Sequence, residues 1–486
     1  MLVRMSTEHV DVLVVGAGLS GVGTAVHLQR EHPQRSYAIL EAREDLGGTW
    51  SLFRYPGIRS DSDMHTLGYR FKPWTASTAI ADGPAILDYV RETAREFGVE
   101  QHIRYGHRVT GASFSTPAAR WTLDVETADG PTTLTCTFMI MCAGYYRYDE
   151  GYTPDLPGIE RFGGHVVHPQ HWDPDLDYAG KRVVVIGSGA TAVTLVPSMT
   201  RGEGAAEHVT MLQRSPSYVM ALPGTDPVAD TLRRWLPPGV VYPVVRAKNI
   251  VQIIALYQIS QRFPTYMRDK LRGMTKARLP EGYDVDTHFN PRYDPWDQRM
   301  CMVPDGDLFR AIREGDASIV TDTVDTFTER GIRLSSGEEL EADVVVTATG
   351  LNLQMFGGAD VVVDGEEVSL PDTMAYRGMM LTRIPNLVYM IGYTNASWTL
   401  KVDLVAGYVV RLLRHMAAHG HQWVVPEPDA SVSEEPFLDF GAGYVQRSIH
   451  ELPKQGSRAP WKLAMNYAVD AVALRRARVD EAVLFG

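Results

Sequence analysis

Two stretches of the chain carry the same succession of apolar and polar positions. Val10 to Val15 is a short apolar run that ends at Gly16. The spacing then turns helical from about Ser20 to Glu31, and a second apolar run follows at Tyr37 to Leu40. A continuous apolar run closed by glycine is the pattern of a strand covered on both faces in a parallel sheet. The predicted unit is strand, turn, helix, strand. Arg182 to Ile186, Ala190 to Met199 and Val209 to Leu212 repeat it in mid-chain, around Gly187-Ser188-Gly189.

The segments around these units read differently. Pro84 to Phe97 has Leu87, Val90 and Ala94 at helical spacing. Residues from about Ile103 to Cys142 predict short strands, with turns at Thr116-Pro117 and Asp129-Gly130-Pro131. Tyr145 to Gly158 is rich in Gly, Pro and Tyr and reads as an interdomain linker. From about Pro216 to Pro295 the alternation breaks into a mostly helical insertion. Strands return at Ser318 to Val320 and Asp343 to Thr347. The tail from about Asp360 adds strands, a turn at Tyr389-Met390-Ile391-Gly392 and a long helix from about Leu400 to His419.

The expected fold class is α/β, with two dinucleotide-binding Rossmann-like domains and a helical insertion in the second. The predicted boundaries are 1–146 for the first domain, 147–175 for a linker, 176–345 for the second domain with its insertion at about 216–295, and 346–486 for the return to the first.

Composition narrows the function classes. A chain of 486 residues with 44% hydrophobic and 22% charged residues fits a multidomain globular protein, and a net charge of -12 argues against a nucleic-acid binder. Three cysteines (Cys136, Cys142 and Cys301) are too few for a disulfide framework, so the chain reads as intracellular and cytoplasmic with buried structural thiols. Met1 to Val10 lacks the apolar run of a signal peptide. Ile250 to Ile259 is the most apolar stretch outside the strands. It falls short of the ~20 residues a membrane span needs, and it reads as part of a core or pocket-lining helix.

The glycine turns carry the chemistry. In Gly16-x-Gly18-x-x-Gly21 the first glycine permits the tight turn, the second lets a pyrophosphate approach the backbone, and the third allows close helix–strand packing. The helix N-terminus then offers free N–H groups and partial positive charge to the phosphates. Glu41 ends the second strand, where a carboxylate accepts both ribose hydroxyls of an adenosine without a 2′-phosphate. Gly187-x-Gly189-x-x-Ala192 is followed by Gln213-Arg214-Ser215, with no acid at that position. Arg214 pairs a 2′-phosphate through a bidentate fork, with Ser215 as a further donor; the alternative is a solvated surface arginine. FAD at the first turn and NADPH at the second imply hydride transfer from nicotinamide to flavin. Cys142-Ala143-Gly144 and Asp343 to Gly350 suit the outward and return crossings between the domains.

Two acceptor classes then compete. A disulfide reductase needs a redox cysteine pair, which the spacings do not offer. A monooxygenase needs a flavin in a pocket that excludes water. Phe162-x-Gly164-x-x-x-His168-x-x-x-Trp172-Asp173 resembles the fingerprint of type I Baeyer-Villiger monooxygenases. Gly47-Gly48-x-Trp50-x-x-x-x-Tyr55-Pro56-Gly57-x-x-x-Asp61 resembles their second signature. Over most of its length the chain is most similar to the ethionamide-activating branch, through Tyr55 to Asp61, His168 to Trp172 and Asn290 to Arg299.

This resemblance implies a ketone-oxidising enzyme that makes esters or lactones through a C4a-peroxyflavin, and that also S-oxidises sulfides or thioamides. Its partners would be a small ketone or sulfide and O2. It makes Arg299 the stabiliser of the peroxide and adduct anions, with Asp61 beside it. The expected cofactor contacts are Gly16, Gly18, Ser20, Gly21, Glu41, Gly48, Thr49, Trp50, Arg59, Ser60, Asp61 and Val109, together with Gly187, Ser188, Gly189, Ala190, Thr191, Arg214 and Ser215. Specificity is expected in the insertion and near Asn395-Ala396-Ser397-Trp398. In the family the segment around His168 moves with the NADPH domain.

The spacing of His165, His168 and His171 raises a metal reading, but Pro169 argues against a regular helix and no Cys or acidic cluster completes a site. Two positions depart from many relatives. Gln298 stands where a lysine helps hold the 2′-phosphate, which predicts a modest NADPH preference resting on Arg214. His65 stands where tyrosine is common, which raises a titratable group beside the flavin. An N- or S-hydroxylating flavin-containing monooxygenase and a non-catalytic flavin redox sensor are the alternative readings.

Overall fold

A computed structural model describes residues 8–298, 300–438 and 441–486. Residues 1–7, including most of the segment read for a signal peptide, and Arg299 lie outside the described residues.

The first repeat forms β1 (Glu8–Val15), α1 (Leu19–Glu31) and β2 (Tyr37–Leu40). β1 lies between β2 and the strand Gly130–Met141, parallel to both, with Val14 opposite Ile39 on one side and Ile140 on the other. Its apolar run is continuous because the two faces feed different cores. Val12 and Val14 pack with Val22 and Val26 of α1, while Leu13 and Val15 pack with Trp121 and Leu123 on the other side of the sheet. Among the described residues the sheet has nine strands, and the return of the chain adds Asp360–Val363 and Leu387–Tyr389 to it.

The second repeat forms β3 (Arg182–Ile186), α2 (Ala190–Met199) and β4 (His208–Gln213). The five-stranded sheet around it runs Ala317–Thr321, β4, β3, Val344–Thr347, His165–Val167, with every pairing parallel.

The predicted linker is partly a strand. Tyr146–Gly151 pairs antiparallel with Leu351–Leu353, so the outgoing and returning chains bind each other between the two sheets. Short polar segments of this kind satisfy their backbone groups only in pairs, and the partner is some two hundred residues away, beyond the reach of a local pattern.

The insertion contains α3 (Pro227–Arg233), α4 (Pro238–Arg262) and α5 (Pro264–Lys276). It is anchored by a parallel pair, Val219–Leu222 with Cys301–Pro304. The expectation of a core helix around Ile250 to Ile259 is corrected. Val241, Tyr242, Val245 and Asn249 of α4 are buried, but Val251 is 65% exposed and Ile259 is exposed as well. By length and composition α4 could cross a membrane, and only 22% of its most apolar stretch is buried. A lone helix on a protein surface buries one stripe, so an apolar helix leaves the other stripe in solvent.

α6 (Asp307–Glu314) and an antiparallel sheet of Val324–Phe327, Gly331–Leu334 and Glu339–Glu341 have no counterpart in the sequence reading. The long C-terminal helix is α7 (Trp398–His419), packed on α1.

Candidate active site

Gly16 makes the first turn at φ 104°, where a Cβ would lie 2.7 Å from the carbonyl oxygen of Cys142. No side chain caps α1, whose N-cap is Gly18, or α2, whose N-cap is Gly189, and neither first turn holds an acid. Both N-termini open on one cavity of about 1200 Å³. Two uncapped helix N-termini in one cavity are suited to bind two phosphate-bearing groups.

Of the expected cofactor contacts, Gly16, Gly18, Ser20, Glu41, Gly48, Thr49, Trp50, Arg59, Ser60, Asp61 and Val109 line this cavity. Gly187, Ser188, Gly189, Ala190, Thr191, Arg214 and Ser215 line it too, as does Gln298. Gly21 does not. A Cβ there would stand 1.9 Å from the carbonyl oxygen of Gly16, so its part is the close packing of α1 on the turn. Arg299, the expected catalytic arginine, lies outside the described residues, although its neighbours Gln298 and Cys301 line the cavity.

Glu41 is buried and fixed from two sides. Its Oε2 accepts the Ala17 N–H at 2.8 Å, and its Oε1 accepts the Arg43 N–H at 3.0 Å. Burial pushes its carboxyl up from the ordinary value, against the pull of those two N–H groups. Arg214 and Ser215 are exposed at the cavity rim, and the Ser188 hydroxyl donates to the Ser215 carbonyl at 3.0 Å.

Two of these cavity residues also hold protein partners, and one expectation changes. Arg59 lines the cavity, but its guanidinium is held by Asp307 at the start of α6, at 2.5 Å, so the side chain joins the two halves. The Ser20 hydroxyl accepts the Trp398 indole N–H at 2.8 Å. His65 does not line the cavity. It is fully buried under the insertion, 3.4 Å from Arg233 Nη2 and 3.7 Å from Asp63. Burial lowers its pKa, with Asp63 and Asp226 opposing, and its place under the insertion sets it apart from the cavity.

The second signature sits where the halves meet. Tyr55 is hydrogen-bonded to Thr191 of α2, and burial pushes its hydroxyl up to about 12. Gly57 has φ 74°, and a Cβ there would stand 1.8 Å from the Ser198 hydroxyl on α2. The fingerprint segment grips the crossover. Gln170 Nε2 donates to the carbonyls of Arg147 and Tyr148, at 2.9 and 2.8 Å. His168 meets Gly350 across the ribbon. No group of His, Cys, Asp or Glu among the described residues is arranged to hold a metal ion.

The sequence reading placed Trp398 in a specificity segment and Tyr148 in a linker, while Arg447 carried no local signal. Trp398 stacks on Tyr145, with centroids 5.3 Å apart. Arg447, from the C-terminal region, lies 3.4 Å over the Tyr152 ring. Tyr148 is half-buried, and the desolvation of its hydroxyl pushes it up to about 12. Only the return of the tail across the crossover assembles this wall. Tyr145 to Tyr148 were visible in the sequence, but as linker.

Comparison with known proteins adds relatives. Residues 79–235 match a family described as flavin-binding monooxygenase-like, and residues 14–79 match an NAD(P)-binding Rossmann-like domain. The chain is 56% identical over 476 residues to the FAD-containing monooxygenase EthA of Mycobacterium tuberculosis, covering 98% of this chain and 97% of that one. It is 55% identical over 476 residues to the protein of the same name from Mycolicibacterium smegmatis, covering 98% and 96%. Its fold is shared with oxidized steroid monooxygenase bound to NADP, at TM-score 0.76, 21% identity, and 98% and 99% coverage. It is likewise shared with ε-caprolactone-bound cyclohexanone monooxygenase, at TM-score 0.75, 18% identity, and 99% and 100% coverage.

Proposed function

The chain belongs to the family of FAD-containing monooxygenases, and we propose that it is an NADPH- and O2-dependent enzyme of the Baeyer-Villiger type. It converts ketones to esters or lactones and also oxidises sulfides or thioamides at sulfur. One observation carries this reading: both uncapped glycine turns open on a single cavity, so two dinucleotides would meet in it.

The residues fit both groups. Gly16, Gly18 and the start of α1 would hold the FAD pyrophosphate, with Glu41 at the ribose and Gly48, Thr49 and Trp50 along the flavin. Gly187 to Thr191 would hold the NADPH pyrophosphate, with Arg214 and Ser215 at the 2′-phosphate. FAD, when bound, supplies hydride acceptance and oxygen activation, which no protein side chain provides. The chain supplies charge and enclosure. Asp61 lines the cavity, and Arg299 follows the cavity residue Gln298; an arginine there would stabilise negative charge developing on oxygen. Tyr145, Tyr146 and Trp398 line the cavity with aromatic surface that would help exclude water once the cofactors are bound.

The test is purified protein with NADPH in air, given a simple ketone and, separately, a sulfide. Ester or lactone formed in step with NADPH consumption is expected. Sulfoxide without any ester would favour an S-hydroxylating enzyme, and NADPH oxidation that yields only hydrogen peroxide would overturn the proposal.

A further inference from the structure

We infer that the outer face of α4 docks this protein on the surface of an anionic lipid bilayer. α4 has 25 residues and is therefore about 37 Å long. Val240, Val244 and Val251 form an exposed stripe along it, at helical spacing. Aromatic side chains stand at both ends of the stripe. Trp235, 83% exposed, precedes the helix, and Phe263 and Tyr266 follow it. The opposite side of α4 is committed to protein. Tyr242 donates to the Tyr69 carbonyl at 2.9 Å, and Arg246 donates to the carbonyls of His65 and Gly68, each at 2.7 Å. A helix held on one side and apolar on the other lies along a membrane and does not cross it.

Charge decides the occupant. Of the nine lysines and arginines from Pro227 to Lys276, Arg233, Arg246, Lys248, Arg268 and Arg272 are paired with Asp230, Asp403, Asp226, Asp294 and Asp286, in a chain whose net charge is -12. Among the described residues no ion pair links Arg234, Arg262, Lys270 or Lys276 to a carboxylate. Unpaired basic side chains before α4 (Arg234), at its end (Arg262) and on α5 (Lys270, Lys276), together with an apolar stripe that has Trp, Phe and Tyr at its ends, suit attachment to anionic lipid. A second copy fits less well. A two-fold interface would set the basic face against itself. The stripe, about 37 Å by about 10 Å, offers roughly 370 Å², under half the ~800 Å² per partner of a stable protein interface.

The helix is also joined to the site. Ile253, Leu256 and Tyr257 pack in one cluster with Trp296, Met300 and Met302, and Met302 lines the cavity. With a bilayer on its outer face, α4 would therefore stand between the lipid and the segment that carries Gln298 and Cys301, and would bring apolar substrates to that side of the protein.

The test is sedimentation of the full-length protein with phosphatidylcholine vesicles, with and without phosphatidylglycerol. Anionic lipid should raise the bound fraction roughly tenfold, and salt should reverse the gain. Val251→Glu, at an exposed position outside the cavity, should lower binding about tenfold while NADPH oxidation in the absence of vesicles is unchanged. Lys270→Glu with Lys276→Glu should remove the preference for anionic lipid. Equal binding to both vesicle types, or no effect of Val251→Glu, would overturn the inference. So would a change of oligomeric state with Val251→Glu in gel filtration, which would make the face a contact between copies.

Discussion

His168 Nε2 lies 3.2 Å from the carbonyl oxygen of Gly350, where the returning chain enters the crossover ribbon. The other ring nitrogen, Nδ1, accepts the Gln170 N–H at 3.2 Å, so the ring is neutral with its proton on Nε2, donated to Gly350. A Cβ on Gly151 would fall 2.0 Å from the same ring, so the imidazole covers the outgoing strand while it binds the returning one. The fingerprint histidine is thus a pin between the two crossings.

This pin gives a pH prediction. Burial lowers the His168 pKa from its ordinary 6.5. A lowered histidine binds its proton less readily when folded than when unfolded, so stability is fully present above pH 6.5 and is lost as pH falls through the lower folded value. His168→Ala should cost about 1–3 kcal/mol by urea unfolding at neutral pH and flatten this part of the stability profile. An unchanged profile in the variant would place the acid sensitivity elsewhere.

Arg59 and Asp307 make a second tie between the halves, with side chains only 11% and 12% exposed. Removing either partner leaves a charge in a largely dry setting. Arg59→Ala and Asp307→Ala should each destabilise by an amount toward the lower end of about 3–5 kcal/mol, and the double variant by less than the two together. Thermal unfolding of the four proteins measures this. Additive effects would show that the pair carries no coupling.

Arg214 at the cavity rim is expected to set the choice between NADPH and NADH. Arg214→Ala should lower the NADPH to NADH ratio of kcat/KM by roughly tenfold to a hundredfold, and Gln298→Lys should raise it. Steady-state NADPH and NADH oxidation reads both. An unchanged ratio in Arg214→Ala would sink the assignment.

Gly57 is fixed by a close approach. Gly57→Ala should cost about 1–3 kcal/mol through the contact with Ser198 and the φ of 74°. Ser198→Gly in the same chain should return part of that loss, measured against Ser198→Gly alone. No recovery would mean that the backbone angle dominates.

The role proposed for Arg299 separates two reactions. Arg299→Ala should retain NADPH oxidation and lower ester or lactone formation by about 10²–10³. Equal loss of both activities would point to a folding or cofactor-binding role instead.

The sequence by itself determined the two strand–turn–helix units, because their cause is local. Gly16 and Gly187 must turn at positive φ, and Val12 to Val14 are apolar at consecutive positions because both faces of β1 are covered. Glu41 was legible for the same reason, since it closes the strand that follows the first turn, whereas Trp50 and Asp61 were legible only through the resemblance of their segment to a family signature. Only the tertiary structure decided that both turns share one cavity. That depends on the ribbon between Tyr146–Gly151 and Leu351–Leu353 and on the pair of Arg59 with Asp307, contacts between residues far apart in the chain. The same long-range packing placed His65 under the insertion, brought Arg447 to Tyr152, and left Val251 facing outward. A periodic pattern marks which positions are apolar, but what each one meets is set by where the sheets and the insertion come to rest against each other.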